Sequence, residues 1–132
     1  MRRKTILLST VAACILLLTG HHIAAAQTQD FSTQAAKFIT LLSGGEYETA
    51  TEMFDKTMKS ALPKEKLEEI WKTLQAQYGA FKTQGEIRKD RIQQYDVAYV
   101  PCQFEKAALD SKIVFDHEGM IAGLSFVPPG TK

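Results

Sequence analysis

Ile113-Val-Phe-Asp-His-Glu-Gly-Met-Ile-Ala-Gly-Leu-Ser-Phe-Val-Pro-Pro129 decides how this chain folds. Two apolar runs flank the segment Asp116-His117-Glu118-Gly119. Asp can open a type I turn, and Gly119 can take the left-handed conformation that steers the chain into a return strand. The pattern predicts a hairpin. Before the turn, Leu109, Ser111, Ile113 and Phe115 alternate; after it, Met120, Ala122, Leu124 and Phe126 do. Upstream, Tyr95 to Glu105 reads as another strand. Ala98, Val100, Cys102 and Phe104 lie on one face, and Tyr95, Val97 and Tyr99 on the other. Pro101 has no N–H to give a ladder, which predicts an edge or a bulge there. Pro128-Pro129-Gly130 ends the sheet.

The periodicity changes toward the N-terminus. Asp30 is placed to cap a helix over Phe31 to Ser43, whose apolar face is Phe31, Ala35, Phe38, Ile39 and Leu42. Gly44-Gly45 stops it. A second helix begins at Glu46, with Glu46 and Glu48 facing the helix dipole favourably. It either continues past Phe54 or breaks near Asp55. Pro63 sits at the first position of a third helix. Leu67, Ile70, Trp71, Leu74 and Tyr78 form its stripe, and Gly79 its stop. Ala80 to Ile92 is polar, with Gly85 marking a bend. Helices followed by consecutive antiparallel strands is an α+β plan, with the helices packed into a curved sheet.

The first residues read as an export signal. Arg2, Arg3 and Lys4 precede an apolar run from Thr5 to Leu18, and Ala24-Ala25-Ala26 fits a small-residue cleavage site before Gln27. The run is shorter than the about 20 residues a spanning helix needs. Val11-Ala12-Ala13-Cys14 admits a lipoprotein alternative, but the apolar core continues past Cys14. The expectation is a signal over residues 1–26, one domain over 27–132, and a periplasmic or extracellular location. Losing three of 16 basic residues against 15 acidic ones leaves a net charge near −2, which carries no footprint for nucleic acid. His21, His22 and Cys14 leave with the signal. Cys102 then stands alone, read as a buried apolar residue without a disulfide partner.

Gly44-Gly45-Glu46-Tyr47-Glu48-Thr49-Ala50, Met53-Phe54-Asp55, Leu67, Trp71 and Gly79-Ala80-Phe81 resemble a small exported bacterial domain of unknown function. That domain often precedes an α/β hydrolase domain. Val100-Pro101-x-x-Phe104-Glu105 and Phe115-Asp116-x-x-Gly119-x-Ile121-Ala122-Gly123-Leu124 continue the likeness. The resemblance implies a cone-shaped fold similar to nuclear transport factor two and to cystatins, with a pocket between helices and sheet. No hydrolase domain follows within the sequence, so a role as an in-chain helper of catalysis is not expected. The resemblance supplies no catalytic residues.

The residues themselves present no catalytic cluster, no cofactor motif and no metal-ligand spacing. Asp96, Tyr95, Tyr99, Asp110 and His117 are the titratable candidates for acid–base work, and Asp96 and His117 fall where turn geometry explains them. No Gly-x-Ser-x-Gly elbow occurs. Trp71 could line a pocket for a small apolar ligand, or simply pack in the core. Tyr95, Val97 and Tyr99 would form an apolar outer patch, which predicts a homodimer through the sheet. The expected function is a non-enzymatic binding or protein-interaction module. Its rivals are a small pocket enzyme of isomerase, dehydratase or hydrolase type, and an accessory or inhibitory partner of a separate exported hydrolase.

Overall fold

A computed structural model describes residues 30–132. The signal segment, its cleavage site, Cys14, His21 and His22 lie outside the described residues. Four helices precede five strands: α1 (Phe31–Ser43), α2 (Tyr47–Thr51), α3 (Lys56–Ala61), α4 (Lys64–Tyr78), β1 (Phe81–Gln84), β2 (Arg88–Ile92), β3 (Tyr95–Phe104), β4 (Ala108–Phe115) and β5 (Ile121–Val127). The fold is α+β, with an open antiparallel sheet.

The helices begin and end for local chemical reasons. The Asp30 carboxylate accepts from the Ser32 N–H at the start of α1. A hydrogen bond from Lys89 holds the Asp30 carboxyl below its ordinary range. The chain does break at Asp55, because its carboxylate accepts from the Met58 N–H and starts α3. Pro63 is the N-cap of α4 rather than its first residue. Gly79 ends that helix at φ 85°, where an added Cβ would lie 2.6 Å from the Glu105 Cβ. Of the expected α4 stripe, Leu67 and Trp71 are buried, but Ile70 is 37% exposed.

The polar segment after Gly79 forms two short strands on one side of β3. β1 pairs with the end of β3 through Phe104, Gln103 and Cys102, and β2 with its beginning from Tyr99 to Tyr95. Pro101 therefore lies in an interior strand, opposite the break between β1 and β2. The Gly85 N–H donates to the Pro101 carbonyl at 2.8 Å. The break removes the demand for a donor from Pro101 on that side.

The hairpin forms around Asp116. Its carboxylate accepts from the N–H groups of Glu118 and Met120, both at 2.9 Å, and Gly119 adopts φ 78°. The return strand departs from simple alternation. A bulge between Val114 and Phe115 pairs Phe115 with Ile121 and leaves Ala122 as the extra residue. Ile121, not Ala122, is thus fully buried. Its N–H donates to the Met53 carbonyl, and its carbonyl accepts from the Asp55 N–H, a short parallel bridge to the helical half.

The core lies between the helices and one face of the sheet. Ala35, Phe38, Ile39, Leu42, Phe54, Leu67 and Trp71 meet Ala98, Val100, Cys102, Phe104, Ile113 and Phe115.

Candidate functional site

Trp71 projects from the middle of α4 into a set of aromatic rings. Its ring centre lies 5.5 Å from Phe81, 5.7 Å from Phe104 and 6.2 Å from Phe126. It is 1% exposed. These rings pack against Trp71 between α4 and the sheet. Cys102 is enclosed on the same face, and burial pushes its thiol up to about 12. A thiol held protonated is a poor nucleophile.

The opposite face of the sheet carries the polar chemistry. Tyr99 stands between Arg88 on β2 and Lys112 on β4. The Arg88 guanidinium lies 4.9 Å from the ring centre and the Lys112 ammonium 5.9 Å. Aromatic faces attract such cations. Arg88 also pairs with Asp110, which is only 2% exposed. The Asp110 carboxylate accepts a second bond from the Gly130 N–H at 2.9 Å, and Arg88 donates to the Thr131 carbonyl. The segment after β5 is thereby strapped across the face toward β2. A groove lined by Arg88, Lys89, Asp90, Tyr99 and Lys132 lies beside it, with a volume of about 330 Å³.

This strap changes the reading of the outer patch. Tyr99 and Val97 are buried, at 1% and 2% exposed, although they lie on the outer face. Long cationic side chains and the final residues cover Tyr99. Tyr95 is half-buried and pairs with Ile92, which is 40% exposed. The Tyr99 hydroxyl has no hydrogen-bond partner among the described residues.

The remaining titratable candidates are dispersed. Asp96 is half-buried near the start of β3, opposite Arg91 and Phe115. His117 is exposed in the hairpin turn. Asp110 joins Tyr99 on the outer face, but both of its contacts hold structure together. Among the described residues, no group of three His, Cys, Asp or Glu side chains is placed to hold a metal ion. The Arg88–Asp110–Gly130 arrangement had no signal in the sequence, since its parts lie on three separate segments.

The family model described as "Protein of unknown function (DUF3887)" matches residues 35–124, which is most of the chain. The chain belongs to this family. The DUF3887 match runs from α1 into β5, so it includes Trp71, Arg88, Tyr99 and Asp110 but not the strap at Gly130 and Thr131. The DUF3887 chain is also similar to Esterase EstD of Thermotoga maritima, 27% identical over 96 residues. That stretch is 73% of this chain and 23% of the esterase, so the chain corresponds to about a quarter of the curated relative. No solved structure matches.

Proposed function

We propose that this domain is exported and acts as a non-enzymatic module that binds another protein, an α/β-hydrolase-type esterase. One observation carries the non-enzymatic reading. Trp71, Phe81, Phe104 and Phe126 fill the space between α4 and the sheet, where a pocket enzyme of this layout would hold its substrate. The likeness to part of Esterase EstD supports the choice of partner. The basic residues Arg2 to Lys4, the apolar run and Ala24-Ala25-Ala26 support export. The open antiparallel sheet with helices on one face supports placement beside the cone-shaped folds of nuclear transport factor two and cystatins.

Native mass spectrometry of protein purified from its own cells tests this reading. The expected species begins at Gln27 and co-purifies with an ester hydrolase. Hydrolysis of a p-nitrophenyl ester by the purified domain alone, abolished by substituting a residue of the domain, would overturn the non-enzymatic role.

A further inference from the structure

The two edges of the sheet differ in kind. On one edge, β1 and β2 carry Lys82, Arg88, Lys89, Asp90 and Arg91. Charges along an edge oppose pairing with another strand. The other edge is β5, whose sequence Ile-Ala-Gly-Leu-Ser-Phe-Val has no charge and no proline. Its first residue is closed off by Met53 and Asp55. Beyond the bulge, residues 123–127 pair with β4 on one side. On their other side they find no hydrogen-bond partner among the described residues. α3 lies near β5, yet no backbone hydrogen bond from it reaches residues 123–127, and a strand edge of this composition without such bonds is a template for pairing.

We infer that β5 pairs antiparallel with β5 of a second copy, across a two-fold axis at Ser125. An isologous contact must be self-complementary, and this register is. Leu124 of one copy faces Phe126 of the other on the core side of the sheet. Ser125 faces Ser125, and Gly123 faces Val127, on the outer side. No like charges oppose one another, and apolar cross-strand pairs stabilise antiparallel contacts. The register also fits the limits of the free edge. It starts after the bulge at Ala122 and ends before Pro128, which has no N–H. Where Met53 to Asp55 occupies the edge at Ile121, the second copy has already left the sheet toward its own Asp110. The outer face is less suited to the same task, because the strap and Arg88 cover Tyr99.

The pairing does not depend on an esterase partner, and its test needs none. Sedimentation equilibrium of the full chain as purified should give twice the chain mass. Ser125→Lys sets two ammonium groups opposite each other at an exposed position and should weaken the dimer at least tenfold. In the wild type, amide exchange at residues 123–127 should slow as protein concentration rises, while that at residues 88–92 stays constant. A monomer at concentrations up to about 1 mM would overturn the inference. So would a dimer unaffected by Ser125→Lys, or concentration-dependent protection at β2 instead of β5. If Ser125→Lys fails to fold, the exchange pattern of the wild type decides alone. Protection of β5 that appears only with added esterase, independent of this chain's own concentration, counts against self-pairing.

Discussion

Both faces of this sheet hold buried residues, but these are covered by different means. The inner face is covered by helices and filled with aliphatic and aromatic side chains, from Leu42 on α1 to Trp71 on α4. Among the described residues, no helix covers the outer face. There Tyr99 is covered by Arg88 and Lys112, and Asp110 holds Arg88 and the strap in place. Close packing makes the inner face sensitive to lost volume. The outer face depends on a few directional bonds around one buried carboxylate. Burial on a sheet face therefore does not by itself locate the core. The kind of group doing the covering separates the two.

Substitutions that act on one face at a time should sharpen this contrast. The largest effect is expected at Trp71. Trp71→Ala removes the ring that touches Phe81, Phe104 and Phe126 and should cost about 3–5 kcal/mol in chemical denaturation. A loss below 1 kcal/mol would mean that the rings do not form a packed core.

Asp110→Asn keeps the shape on the outer face but removes the charge facing Arg88. Arg88 is 40% exposed, so solvent screens the pair, and a loss of about 1–2 kcal/mol is expected. The same variant should speed amide exchange at Gly130. An unchanged Gly130 would show that the strap holds without Asp110.

Cys102 tests the inner face through pH. Burial raises its thiol from the ordinary 9.0 to about 12, so the fold favours the protonated form. That contribution is whole below pH 9.0 and is lost as pH rises from there toward about 12. The wild type should lose stability across this window more steeply than Cys102→Ala. Parallel curves would show the thiol to be solvated.

Tyr99→Phe should have the smallest effect. It deletes a buried hydroxyl without a partner among the described residues and keeps the ring between its two cations. Stability should stay level or rise by up to about 1 kcal/mol. A clear loss would reveal a partner for the hydroxyl.

Much of the fold was legible because its signals are local. Asp30, Asp55, Gly79 and Gly119 each fix a cap or turn through their own side chain or its absence. The alternation from Tyr95 onward gave the strands for the same reason. Three features were not legible. β1 and β2 share β3 because of pairing between segments whose own residues are polar. Ile121 replaces Ala122 in the core because a bulge resets the alternation, and no residue type marks it. Tyr99 is covered by groups from β2, β4 and the strap, which only the folded chain brings together. That Trp71 points inward could be stated from its stripe, but that its ring meets Phe81, Phe104 and Phe126 could not, because those residues lie on other elements.

The bridge at Ile121 has a consequence for how the molecule folds. Its N–H and carbonyl bond to Met53 and Asp55, and Asp55 is the residue that caps α3. The bridge joins the helical half to the last strand, so it is a long-range contact that needs both segments in place before it can form. Once closed, it ties the start of α3 to the start of β5. Fraying at the start of that helix and peeling at the start of that strand should then be coupled, because each opening breaks the bonds the other relies on.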